Sequence, residues 1–216
     1  MSRLLVAPIV EGHGEYASIR ELLRRVWCEV CGGEHVEVLR PIREKRHRLA
    51  ADKNGALSRA VQFAARSLRA EKRFADWPSL VLVLLDADND LPCQLGPALL
   101  STARAAQSDI DVSVVVANVE YETWFVAAAE SLGEMIRLRE NETVPENPEA
   151  LRCGKGWIKQ RAIGLGYSET LHQPRLTAKF DLALCRRRSP SFDKLCRELE
   201  RRCVPTSQPS ADQRNA

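Results

Sequence analysis

The chain reads as an α/β protein with a mainly parallel, four-stranded sheet, helices on both faces and a basic, mostly helical C-terminal extension. Three observations predict this class. Apolar runs of strand length alternate with segments of helical periodicity, which implies right-handed crossovers. The runs are apolar at nearly every position, as strands covered on both faces must be. Acidic clusters follow several of these runs directly, at the carboxyl ends where open α/β sheets form their sites.

Residues 3–10 (Arg-Leu-Leu-Val-Ala-Pro-Ile-Val) are the first such run. Gly12 and Gly14 permit a tight turn into a helix over 16–30, with Ile19, Leu22, Leu23 and Val26 at helical spacing. Residues 35–42 alternate weakly and predict a second strand, followed by a basic loop over 43–48. Leu57, Val61, Ala64, Ala65 and Leu68 mark a helix over 54–73, and Pro78 leads into Leu80-Val81-Leu82-Val83-Leu84-Leu85, the most apolar strand of the chain. A helix over 97–107, a strand over 111–117 and a helix over 121–130 complete the alternation. Residues 141–148 are polar and contain prolines, as a linker or loop does, and Cys153-Gly154-Lys155-Gly156-Trp157 matches no regular element.

These patterns divide the chain into an α/β domain over 1–130, a basic helical extension over 131–203 and a disordered tail over 204–216. Charge divides it similarly. Residues 151–202 hold 13 Lys/Arg against 5 Asp/Glu, and residues 1–150 hold 18 against 23, giving +8 and −5. A hydrophobic fraction of 44% suits a globular core, and no apolar stretch approaches the roughly 20 residues that span a bilayer. Seven cysteines, an odd number in a chain that needs no staples, read as reduced thiols of a cytoplasmic protein without a signal peptide. Cys28 and Cys31 form a CxxC near His35, but Cys185, Cys196 and Cys203 lack the spacing of a second zinc-binding pair.

The chemistry is concentrated in Val10-Glu11-Gly12-His13-Gly14-Glu15 and Leu85-Asp86-Ala87-Asp88-Asn89-Asp90. A third cluster, Asn118, Glu120 and Glu122, follows the strand over 111–117. Asp and Asn also favour strand-end turns, and Glu120 and Glu122 also suit a helix start. Three acidic clusters at three strand ends nevertheless outline one site. Ionised carboxylates gathered there repel one another unless a cation intervenes, and hard oxygen ligands select Mg2+ or Mn2+ over Zn2+. The turn at Gly12 and Gly14 lacks the full GxGxxG and begins with a negative charge, which argues against dinucleotide binding. His13 reads as solvent-exposed, and Trp124 and Phe125 as core.

With Glu11 after the first strand, Asp86-x-Asp88 after a later one and Glu120-Tyr121-Glu122-Thr123-Trp124 beyond, the chain resembles the TOPRIM domain of topoisomerases, primases and OLD-type nucleases. It is most similar to stand-alone bacterial TOPRIM-like proteins of unknown function, whose basic C-terminal segment looks like residues 179–199 with Arg188-Ser189-Pro190-Ser191-Phe192. The resemblance implies a Mg2+-dependent nuclease or nickase in which Glu11, Asp86 and Asp88 hold the metal. Glu15 would join the catalytic carboxylates, and Glu122 would be a further ligand. Asp90 is a spare aspartate, and Lys155, Lys159 and Lys179 are the candidates for a transition-state cation. Basic groups at Arg43, Lys45, Arg46, Arg48, Arg186, Arg187 and Arg188 would contact nucleic-acid phosphates, of DNA first and of RNA as the alternative. No GxxxxGK[ST] motif is present, so a rival expectation is a non-catalytic or partner-dependent subunit working with a separate ATPase in bacterial defence or a mobile element.

Overall fold

In the computed structural model, which describes residues 2–138, 140, 142–164 and 166–203, five parallel strands form one sheet. They are β1 (Arg3–Val10), β2 (His35–Val38), β3 (Ile42–Arg43), β4 (Ser79–Asp86) and β5 (Asp111–Ala117). Their order is β2-β1-β4-β5, with β3 also paired to β1. The four-stranded expectation differs because the second strand is split. Val38 pairs with Val6 and Ile42 with Ile9, so four steps on one strand match three on the other. Leu39, Arg40 and Pro41 absorb the extra residue as a bulge, at a point where Pro41 has no N–H to offer a ladder.

The helices are α1 (His13–Arg25), continued by a π-helical turn over Val26–Val30, then α2 (Arg46–Ala50), α3 (Ala56–Ala70), α4 (Pro92–Ala106) and α5 (Glu122–Ala127). Four more, α6 (Gly154–Arg161), α7 (Glu169–Thr177), α8 (Leu182–Arg188) and α9 (Pro190–Glu200), come from the C-terminal part. Helix α4 starts at Pro92 rather than Pro97, because the fixed φ of Pro92 suits a first helical position. Gly154-Lys155-Gly156-Trp157, expected to be irregular, opens α6, whose Gly156 N–H is capped by the Cys153 thiol. Two glycines and a cysteine cap hide that helix from propensity rules. Asn141 of the expected linker and the expected tail from 204 onward lie outside the described residues.

Strand alternation sorts the core into two layers. Leu4, Val6, Val10, Leu80, Leu82 and Leu84 pack with α1 and α5 to α9, whereas Leu5, Ala7, Ile9, Val81, Val83 and Leu85 pack with α2, α3 and α4. The C-terminal helices therefore share a core with the first α/β units. Phe180 and Phe192 lie in that layer, in edge-to-face contact with Phe125 and Trp124 respectively. A polar hub reinforces the junction. Buried Glu149 accepts from the Ser189 hydroxyl, the Ser191 hydroxyl and the Ser191 N–H, while Ser191 Oγ in turn accepts from Trp124 Nε1 at 2.8 Å. Ser189 and Ser191 thus cap α9 and anchor Trp124. Among the described residues no helix is long and apolar enough to cross a membrane.

The shared core predicts a single unfolding transition for the whole chain. Phe192→Ala, at a fully buried ring, should cost about 3–5 kcal/mol, lowering the denaturant midpoint of one cooperative transition followed by tryptophan fluorescence and circular dichroism together. Two separated transitions would show that the C-terminal helices fold apart from the sheet.

Candidate functional site

The chain runs from β1 outward to β2 and then crosses to β4 on the other side of β1, so the strand order reverses between β1 and β4. Loops diverge at such a switch point and leave a crevice at the carboxyl edge. Val10 pairs with Leu84, which places Glu11 beside the end of β4, and Glu11 Oε1 accepts the Asp86 N–H at 3.2 Å. Asp86 Oδ1 accepts the Tyr121 N–H at 2.8 Å, joining the third acidic loop to the first two. A cleft of about 320 Å3 opens here, with Glu11, Glu15, Asp86, Asp88, Glu120 and Glu122 in its walls. Gly12, Lys45, Arg46, His47, Lys155 and Glu169 complete the lining.

Burial dominates the electrostatics. The Asp86 carboxyl is pushed well above the usual range by burial, then by the charges of Glu11, Glu15 and Glu122, against the Tyr121 N–H bond. Burial, then the Glu15 charge, raises Glu11 to about 7, while the Asp86 N–H bond opposes the shift. Burial raises Glu122 to about 7 as well, opposed by Lys155 and by the Tyr167 hydroxyl, which donates to Glu122 Oε1 at 2.9 Å. Glu11 Oε2 is buried without a hydrogen-bond partner among the described residues. Glu15 is buried and accepts from Gln173 Nε2 at 3.1 Å. Helix α7 reaches it because residue 14 is glycine: a Cβ there would stand 1.7 Å from Gln173 Oε1.

Asp88 takes a different role from Asp86. It sits at φ +49° and its N–H bonds to the carbonyl of Val119, itself at φ +62°. A left-handed β-branched residue is a steric outlier, and strain of this kind gathers at functional loops. Arg46 ties the loop down: its guanidinium donates to the carbonyls of Asp86 and Ala87, and pairs with Asp88 at 3.1 Å and Asp90 at 2.5 Å. Among the described residues, no three His, Cys, Asp or Glu side chains already converge as a metal-binding group.

The expected basic contacts are dispersed. Arg43 is exposed outside the cleft lining, Lys45 is exposed within it, Arg46 is a strut of the aspartate loop, and Arg48 pairs with Glu44. Arg186 is engaged by Asp193 and Glu200, and Arg188 by Glu130, while Arg187 is exposed. None of these three lines the cleft. Of the candidate lysines, Lys179 pairs with Glu134 and Lys159 is exposed elsewhere, whereas Lys155 lies in the cleft with its ammonium 2.5 Å from Glu169. Sequence reasoning missed Tyr167, Glu169 and Gln173, which no motif marks. All seven cysteines are free thiols, and burial raises Cys31 and Cys196 to about 12.

The fold and site define an α/β protein whose parallel sheet gathers buried carboxyls at its switch point. The chain belongs to the family described as a domain of unknown function, DUF4276, whose model matches residues 10–200. No curated protein and no solved structure matches it.

Raised carboxyl pKa values make a signed prediction for the metal-free protein. Glu11 and Glu122 stay protonated in the fold up to about 7 but only to 4.5 when unfolded, so their contribution is fully present below 4.5 and lost as pH rises through 7. Thermal midpoints should fall across that window. Glu122→Gln, which keeps an acceptor for Tyr167, should flatten the fall and raise the midpoint at pH 8; an unchanged pH profile would refute the assignment.

Proposed function

We propose that this chain is a Mg2+- or Mn2+-dependent phosphodiesterase of TOPRIM type that cleaves or nicks nucleic acid, with DNA ahead of RNA. The observation that carries the reading is the juxtaposition of Glu11 and Asp86 at the carboxyl ends of adjacent parallel strands, with Glu11 Oε2 buried and unpartnered among the described residues. A divalent cation is the natural counter-charge for such a pair. Glu11, Asp86 and Asp88 would hold it, with Glu15 and Glu122 as the surrounding carboxylates. Bound there, the metal would polarise a phosphoryl oxygen and lower the pKa of a water nucleophile.

The chain's own residues supply the rest. Gln173 and Tyr167 fix the Glu15 and Glu122 carboxylates. Lys155 brings a cation to the same cleft, where burial works against its charge but Glu169, Glu122 and Glu120 outweigh it and keep the ammonium protonated. Lys45 stands exposed in the cleft lining, where it would steer a phosphate backbone toward the acidic edge, and Arg43 is exposed two positions earlier, at the end of β3.

A second reading, a subunit that is silent without a separate ATPase, is favoured by one observation. Asp88 is turned to Arg46 rather than gathered with Glu11 and Asp86 among the described residues, so the ligand set requires rearrangement.

Calorimetric titration of Mn2+ and Mg2+ into wild type and an Asp86→Asn/Asp88→Asn variant tests both readings, followed by assays on supercoiled plasmid and total RNA. Wild type should bind metal and cleave. The variant should lose more than about 100-fold in affinity, since disturbing outer-shell partners alone costs about 10–100-fold. No binding to wild type would sink the metal site. Binding without cleavage, converted to cleavage by a co-purifying ATPase, would select the second reading.

A further inference from the structure

Helix α6 begins at the wall of the cleft, and its first turn is built unlike an ordinary helix start. Its opening, Gly154-Lys155-Gly156, has two glycines, so of these three residues only Lys155 brings a side chain to the N–H groups of the first turn. The Lys155 N–H donates to Glu120 Oε2 at 2.8 Å, and the Gly156 N–H is left with the Cys153 sulfur, a weak acceptor, at 3.1 Å. Glu120 therefore complements the dipole of α6, across the cleft wall, rather than only that of the helix it precedes. A carboxylate held by a helix amino terminus is positioned as a bound oxyanion would be.

A second observation points the same way. The Thr123 side chain is completely buried, and its hydroxyl has no hydrogen-bond partner among the described residues. It faces this helix start: a Cβ on Gly154 would lie 3.0 Å from Thr123 Oγ1 and 2.9 Å from Thr123 N. Buried hydroxyls are nearly always paired, so an orphan aimed at a helix amino terminus asks for a partner. The absence of a Cβ at 154 lets the first turn of α6 pack this closely against Thr123. Lys155 adds a full positive charge within the cleft, provisionally satisfied by Glu169.

We propose that the amino terminus of α6, with Lys155 and Thr123, is an oxyanion subsite for a phosphate group, and that Glu120 occupies it in the ligand-free protein. Glu120 then acts as an internal competitor that a phosphate displaces. Identifying the phosphate as that of a phosphodiester rests on the nuclease reading; the oxyanion subsite itself does not.

The test is calorimetric titration of inorganic phosphate into the full chain, with and without Mn2+. Glu120→Gln keeps an acceptor for the Lys155 N–H but removes the competing charge, and should tighten phosphate binding at least about tenfold, which is about 1.4 kcal/mol. Lys155→Met should weaken it by a similar factor. Thr123→Val should raise the thermal midpoint by removing an orphan hydroxyl and yet weaken phosphate binding; a hydroxyl with no ligand role would give the first effect alone. Lys72→Ala, exposed at the turn before β4, should change nothing. Phosphate that binds neither wild type nor Glu120→Gln, or binds Glu120→Gln no more tightly, would overturn the subsite. Phosphate binding that follows these variants in a chain that cleaves no nucleic acid would sink the nuclease reading and leave the subsite standing.

Discussion

Holding the half-buried Glu11 and Asp86 carboxyls side by side is costly, because charge is disfavoured there by lost hydration and by mutual repulsion. Three elements nonetheless hold them in place. The β1–β4 register puts Glu11 against the Asp86 backbone, the strand order opens a crevice between them, and the Tyr121 N–H clamps Asp86 from the next loop. A protein that retains this conflict either keeps a proton between its carboxyls or binds a cation. The strain at Asp88 and Val119, whose backbones are bonded to one another, lies at the same edge. Cost and strain coincide where the proposed chemistry lies, as they do at sites kept for function rather than stability.

The second half of the chain supports this edge in two ways. Tyr167 and Gln173, from the α6–α7 loop and α7, orient Glu122 and Glu15. The Glu149, Ser189 and Ser191 hub anchors Trp124 and with it the start of α5, where Glu122 is carried. Most basic side chains of this half are paired with acidic residues, several of them in the first half: Arg188 with Glu130, Lys179 with Glu134, Arg202 with Asp111. A basic run is therefore a poor guide to a nucleic-acid surface here. Positive charge that faces the cleft comes instead from Lys45, Arg46 and Lys155.

What could be read from the linear chain follows from periodicity. Continuous apolar runs marked β1, β4 and β5, and their carboxyl ends marked Glu11, Asp86 and Glu122, because a strand covered on both faces leaves a local signature and sites in parallel sheets follow strand ends. Trp124 and Phe125 were legible as core as well, and both are fully buried in α5. The split of the second strand at Pro41 and the helix opening at Gly154 were not, since a bulge is a matter of register with a partner and a thiol cap lies outside ordinary capping chemistry.

The sequence by itself determined the α/β class, the strand ends and the carboxylates they carry, all of which depend on neighbours within a few residues. Only the tertiary structure decided that Arg46 braces the aspartate loop, that Lys155 alone of three lysines enters the cleft, and that Glu120 lies on the amino terminus of α6. Those outcomes join groups between 35 and 44 positions apart, or place lysines by the packing of a helix with almost no amphipathic signal. Side-chain partners at such separations are chosen by how layers dock, and docking leaves no periodic trace along the chain.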